Sequence, residues 1–155
     1  MSKVKLSASD QKLLQALQDN VSLSQIELAE YAGLSRTSVW RRVRELEDAG
    51  VIENRVALLN PEALGLQIHV LLSVTMVKHS DETRRSFEVH VENLPEVMEC
   101  FSVSGERDYV LQIISRDMES YNQFLNTKIL HHASVHSASS SFALRRVKYT
   151  TAVPF

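Results

Sequence analysis

The chain has one cysteine, Cys100, in 155 residues. No intrachain disulfide and no thiolate-rich metal site can be built from it, and such poverty fits a reducing compartment. Glycine numbers four and proline three. No Gly-rich phosphate loop, nucleophile elbow or Cys-rich metal motif is present. No run approaches the ~18 apolar residues of a membrane span; the most apolar stretch, Ile68 to Val77, is broken by His69, Ser73 and Thr75. The opening MSKVKLSASD has no apolar core of the signal-peptide kind. The expected setting is the cytoplasm, with no membrane partner and no cofactor. Net positive charge is missing too. The formal charge is −2, so no long-range field draws nucleic acid, and any such affinity must come from a local patch.

One local patch is present. The first sixty residues carry eight Lys or Arg and eight Asp or Glu, so placement matters rather than sum. Residues 23–52 read LSQIELAEYAGLSRTSVWRRVRELEDAGVI, two short helices broken at Gly33. Before them, Ser7 or Ser9 can cap a helix whose stripe is Leu13, Leu14 and Leu17. Ser22 or Ser24 caps the next, with Glu27 at capping-box spacing from Ser24; Ile26, Leu28, Ala29 and Ala32 are its expected buried side. Gly33 permits the tight turn, and Leu34 plugs into the core. Ser35 caps a third helix to about Ala49, closed by Gly50. Val51, Ile52 and Val56 to Leu59 read as a short extended segment, and Asn60-Pro61 marks a boundary.

The third helix holds Arg36, Arg41, Arg42 and Arg44 with no acid among them. At roughly 100° per residue, Val39, Val43 and Leu46 share one face, Thr37, Arg41 and Arg44 project opposite, and Ser38 and Trp40 flank them. A cationic helix on a rigid support suits the major groove of double-stranded DNA. Arg41 can pair with guanine through two hydrogen bonds, and Thr37 and Ser38 can meet bases or phosphates. Ser35 sits where free backbone N–H groups hold a phosphate. Arg42 lies nearer the buried stripe and suits a phosphate or an ion pair with a neighbouring helix. With Ser24 at the start of the preceding helix, the candidate DNA-contacting set is Ser24, Ser35, Arg36, Thr37, Ser38, Trp40, Arg41, Arg42 and Arg44. The residues alone leave open a merely solvated cationic face and a packing role for Trp40.

Beyond residue 63 the pattern changes. Leu66 to Lys78 is β-branched and apolar, a strand. Asp81 to Leu94 is helical, with Phe87, Val91 and Leu94 on one side, and Pro95 follows. Val97 to Ser104 and Tyr109 to Ser115 read as strands joined by a turn over Gly105 to Asp108. Asp117 caps a helix with Tyr121, Phe124 and Leu125 inward, and Val135 to Val147 is the last expected strand. Strand, helix, strand, strand, helix, strand is the split βαβ order of a ferredoxin-like sandwich. The expected class is α+β: a winged-type helix-turn-helix domain at residues 1–53, a connector at 54–63 and a ferredoxin-like βαββαβ domain at 64–155.

The pieces LSASDQKLLQALQDN, LAEYAGLSRTSVWRRVRELEDAGVI, ALLNPEALGL, LPEVMECFSVSGERDYVLQI and VKYTTAVPF, in this order over the full length, resemble the leucine-responsive regulator/asparagine regulator (Lrp/AsnC) family of prokaryotic transcription factors. The resemblance implies a DNA-binding regulator whose second domain binds a small effector, usually an amino acid, and builds dimers and larger assemblies. It also implies a role for the loop Gly105-Glu106-Arg107-Asp108 at an interface between dimers. Free N–H groups near Ser104 to Arg107 would hold a carboxylate and Asp108 an ammonium, a division that suits a zwitterion. Ser139, Ser140 and Ser141 would close the site from a neighbouring subunit. With Tyr109 beside the loop, the implied effector set is Ser104, Gly105, Glu106, Arg107, Asp108, Tyr109, Ser139, Ser140 and Ser141, with Met98, Cys100 and Phe101 as apolar neighbours. On the residues alone the loop reads as a hairpin turn, since Gly and Asp are ordinary turn residues. Two departures are visible: many members carry Pro after the Ser that starts the recognition helix, where this chain has Arg36, and Arg107 adds a cation to the loop.

Six histidines raise a metal site, but His132 and His136 flank a predicted strand start and lack a companion carboxylate or thiolate, so none is expected. Cys100 in a predicted strand reads as a small core residue. The competing class is an enzyme: tetrapyrrole decarboxylases of haem biosynthesis resemble this family in both domains, and there Arg107, His131 and His132 would grip propionates. A third reading is a DNA-binding assembly protein without an effector. The expectation carried forward is an allosteric regulator, at least a homodimer and by resemblance a tetramer of dimers (octamer), responding to an apolar amino acid such as Leu or Met.

Overall fold

The computed structural model describes residues 4–155; Met1 to Lys3, the start of the stretch MSKVKLSASD and of the first expected domain, lie outside the described residues. The chain divides into two compact units. One holds the residues up to Leu58 together with Lys148–Phe155, and the other is Leu59–Val147.

The first unit is built on three helices, α1 (Ala8–Asp19), α2 (Gln25–Ala32) and α3 (Arg36–Asp48). Each starts on a serine whose hydroxyl accepts a backbone N–H that the first turn leaves unpaired: Ser7 from Asp10, Ser24 from Glu27 and Ser35 from Ser38. At α1 and α2 the cap is reciprocal, because Asp10 and Glu27 accept the N–H of Ser7 and Ser24 at 2.7 Å. Those bonds to Ser24 hold the Glu27 carboxyl below its usual range. Gly33, at φ +67°, ends α2 in the left-handed region. The next residue bonds back from Leu34 N to Ala29 O at 2.9 Å, which turns the chain into α3. Leu13, Leu28, Ala32, Val39, Val43 and Leu46 form the centre of the core.

A charged contact ties α1 to α3 inside this unit. Arg42 Nε and Nη2 donate to Asp10 Oδ1 and Oδ2 at 2.5 and 2.8 Å. Asp10 is only 1% exposed and also accepts from the Ser7 hydroxyl. The Arg42 guanidinium, aided by Ser7, holds its carboxyl far below the ordinary carboxylate value despite burial. The C-terminal segment joins the same unit: Gln18 accepts from Val153 N at 2.7 Å and donates to Val153 O at 3.3 Å.

The second unit is a four-stranded antiparallel sheet with helices over one face. Its elements are β1 (Ile68–Met76), α4 (Asp81–Glu92), β2 (Val97–Ser102), β3 (Tyr109–Ser115), α5 (Met118–Phe124) and β4 (Val135–Phe142), in the spatial order β2-β3-β1-β4. Neighbouring in the middle what is apart in sequence, this is the ferredoxin-like arrangement. From α5 the chain continues into a wider π-helical turn, Leu125–Leu130. Alternation sorts the faces. Val70, Leu72, Val74 and Met76 of β1 and Leu111 and Ile113 of β3 pack on Phe87, Val91, Tyr121 and Phe124 from the helices. The register places Leu71 opposite Gln112 and Ser141, and Ser73 opposite Val110 and Ser139, on the uncovered face.

Four expectations are corrected. Ile26 is exposed, since Leu28, Ala29 and Ala32 suffice to face α1 and α3. Residues 51–59 form no strand: the N–H groups of Val51 and Ile52 both go to Leu46 O and close α3. The last strand stops at Phe142, opposite Val70, rather than at Val147, with one further bond from Ala143 N to His69 O. The final residues, expected with the sheet, group with the helical unit.

The Asp10–Arg42 pair yields a prediction. Arg42→Met strands a buried carboxylate and lowers stability by about 3 kcal/mol, measured by urea unfolding followed through Trp40 fluorescence. Adding Asp10→Leu recovers most of the loss. The wild-type pair also makes the unit acid-sensitive. Because Asp10 has a folded pKa below its unfolded value of about 4, its contribution is complete above that pH. It disappears as pH falls through the folded value, and the double variant lacks this component.

Candidate nucleic-acid interface and effector loop

Val39, Val43 and Leu46 bind α3 to the other helices. With that face fixed, Thr37, Trp40, Arg41 and Arg44 come out on the opposite side, all exposed. Their spacing i, i+3, i+4, i+7 makes a single stripe. Arg41, 68% exposed at its side chain, pairs with Glu45 at 3.2 Å. Arg44 lies over the Trp40 ring, 5.5 Å from its centroid. Arg36 is exposed at the first turn.

Other members of the sequence-derived set are occupied. Arg42 is held by Asp10 and by Glu45, so it supports α3 from beneath, the ion pair that its position near the buried stripe suggested. The Ser35 and Ser38 hydroxyls bond each other at 2.8 Å. Ser24 is spent on its capping box, exposed. Sequence reasoning missed Asp10 and Glu45, which sort the four arginines; the Ser-x-x-Asp spacing of Ser7 and Asp10 was the available signal for the first.

In the second unit the loop between β2 and β3 is exposed from Ser104 to Arg107. Gly105 takes φ +120°, a conformation that L side chains rarely adopt. The loop is tied to the end of β1. Asp108 N donates to Val74 O, and Asp108 Oδ2 accepts from Met76 N at 2.8 Å. Asp108 Oδ1 lies 3.0 Å from His79 Nδ1. Arg107 donates to Thr75 Oγ1 at 3.2 Å. Asp108 is therefore a structural anchor as well as a carboxylate beside the loop, and Met76 and His79 are partners that the sequence did not reveal.

The structure does not bring the whole implied effector set together. Tyr109 is 2% exposed on the helix-covered face, its hydroxyl donating to Glu88 at 2.7 Å; burial and Glu88 push its pKa up. Ser140 shares that face and bonds the Tyr121 hydroxyl, because it sits opposite the buried Leu72. Ser139 and Ser141 point to the uncovered face with Ser73 and Leu71. Cys100, expected in the core, is on an exposed edge strand. Its thiol lines a groove of about 390 Å³ with Glu88, Val91, Met98 and Tyr109. Burial there, and Glu88, push it up to about 11.

The histidines form no metal cluster among the described residues. His132 stacks on His90 at 4.7 Å and meets Phe87 edge-on, and burial together with His90 lowers its pKa. That places it on the helix-covered side, whereas Arg107 reaches Thr75 on the other. A propionate-gripping trio of Arg107, His131 and His132 is not assembled.

Comparison with known proteins agrees with both units. Residues 6–53 match the winged helix-turn-helix DNA-binding family, and residues 69–153 match the Lrp/AsnC ligand binding domain. The chain is 36% identical over 145 residues to the DNA-binding transcriptional activator DecR of Escherichia coli K12, covering 94% of this chain and 95% of that protein. It is 36% identical over 146 residues to the leucine-responsive regulatory protein of Rhizobium meliloti, covering 94% of each. A transcriptional regulator from Neisseria meningitidis solved in complex with L-Met superposes with a TM-score of 0.91 at 38% identity over 97% of both chains. These relatives are transcriptional regulators, which does not favour the decarboxylase reading. The chain belongs to the Lrp/AsnC family: it is a DNA-binding transcriptional regulator with an N-terminal helix-turn-helix head and the family's ligand-binding domain.

Proposed function

We propose that α3 enters the major groove along its stripe Thr37, Trp40, Arg41 and Arg44, with Arg36 and the first turn on the phosphates. The observation that carries this reading is the sorting of the arginines. Arg42 is drawn inward by Asp10 while Arg41 and Arg44 stay outside, opposite the core. Arg41 exchanges a weak exposed pair with Glu45 for a bidentate contact to guanine. Arg36, in place of the helix-starting proline of many relatives, adds a phosphate contact. One such helix reads little DNA, so the working unit is at least a homodimer, two heads meeting half-sites about one helical turn apart, and by family resemblance a tetramer of dimers. The setting is the cytoplasm.

We further propose that the second unit takes a free amino acid at the loop Ser104 to Asp108. Exposed backbone N–H groups around Gly105 would receive the carboxylate and Asp108 the ammonium. Ser139 and Ser141 stay candidates on the uncovered face; Ser140 and Tyr109 support the sheet from the other side. The Neisseria relative bound to L-Met and the leucine-responsive relative support an apolar amino acid. Binding would favour one assembly or head arrangement over another. The domain limits follow: residues up to 53 read DNA, 54–63 connect, and the sheet unit senses and assembles.

Two measurements test this. Arg41→Ala weakens specific operator binding by about 1–3 kcal/mol and relaxes one base position; unchanged affinity and specificity would remove Arg41 from the reading set. A thermal-shift screen of the twenty amino acids raises the melting temperature for at least one apolar member. Asp108→Asn, which keeps an acceptor for Met76 N–H but removes the charge, abolishes that shift without lowering the ligand-free melting temperature by more than a few degrees. A normal shift in this variant would move the site elsewhere, and no response to any amino acid at millimolar levels would support an effector-free assembly protein.

A further inference from the structure

The three arginines at 41, 42 and 44 are held in two chemically different ways. Arg41 and Arg42 are held by their edges: their N–H groups point at Glu45 and Asp10. Arg44 has its guanidinium carbon over the Trp40 ring, 5.5 Å from the centroid, and makes no ion pair or hydrogen bond among the described residues. A carboxylate engages some of the five N–H donors of a guanidinium and must be exchanged before those can bind a base; an aromatic ring engages none of them. Trp40 is itself 53% exposed, although a tryptophan offers more apolar surface to bury than any other side chain. Both residues lie on the stripe opposite Val39, Val43 and Leu46, one helical turn apart.

We propose that Trp40 and Arg44 work as one guanine-reading unit. Trp40 is the positioning residue: its ring fixes the plane of the Arg44 guanidinium and removes the rotational freedom that a long exposed side chain would lose on binding. Arg44 is the reader: its free N–H edge meets guanine O6 and N7 in the major groove, the bidentate geometry that distinguishes guanine from the other bases. Arg41, tethered to Glu45, and Arg42, tethered to Asp10, lack this combination of held plane and free donors. The assignment rests on the reading that α3 enters the groove.

The test is selection by the full-length protein from a random double-stranded DNA library, followed by binding titrations on the selected duplex with each base pair replaced in turn. Wild type discriminates roughly tenfold to a hundredfold at the guanine that Arg44 reads. Arg44→Ala flattens that position alone. Trp40→Ala lowers discrimination at the same position by roughly two- to fivefold, has no further effect in the Arg44→Ala background, and is rescued by Trp40→Phe. Unchanged circular-dichroism melting in Trp40→Phe and Arg44→Ala shows that the fold is retained. Uniform weakening at all positions with a shallower salt dependence would make Arg44 a phosphate contact and overturn the unit. So would a Trp40→Ala defect at a different base pair, or additive effects of the two substitutions. If wild type selects no sequence at all, the groove reading itself fails; if it selects and the selection survives both substitutions, only the Trp40–Arg44 unit falls.

Discussion

The head depends on one carboxylate serving two helices. Asp10 closes the capping box of α1 and receives the guanidinium of Arg42 from α3. Neither task explains its depth of burial alone, since a cap is usually satisfied at the surface. The buried charge is tolerable because four donor contacts surround it, two from Ser7 and two from Arg42. The pair fixes the rotation of α3 about its own axis. With Arg42 pinned inward, the stripe from Thr37 to Arg44 can only face away from the other helices.

The second unit uses the same device for another end. Asp108 also joins a backbone N–H to a basic side chain, here Met76 N and His79. It fastens the β2–β3 loop to the bulged end of β1, where the register with β4 shifts between Thr75 and Met76. On the proposed reading of this loop as the effector site, a loop anchored at its base but open from Ser104 to Arg107 keeps its backbone donors arranged before a ligand arrives, so less ordering remains to be done on binding.

Much of this was legible in the sequence because the signals were local. Ser7, Ser24, Ser35 and Asp117 all cap, Gly33 turns the chain, and the apolar periods of residues 68–76 and 81–94 gave strand and helix. The strand order of the sheet follows from element order. What escaped was decided by partners far along the chain. Arg42 and Asp10 are 32 residues apart, as are Asp108 and Met76, and no periodicity announces either. Tyr109 is next to the loop in sequence and Ser140 is implied by resemblance to close the site from a neighbouring subunit, but strand alternation sends both to the helix-covered face. Cys100 was assigned to the core because strands are buried on average; the edge position of β2 was not visible before the sheet was assembled.

The grouping of Lys148–Phe155 with the helical unit sets an order of events during synthesis. α1, α2 and α3 leave the ribosome before the sheet unit and hold most of the head's core, yet Gln18 waits for Val153, which follows the entire sheet unit. The head is thus begun before the sheet unit is translated and completed after it. In between, the Gln18 amide must find water as its partner, and a chain stalled before residue 148 carries a head that lacks its closing segment.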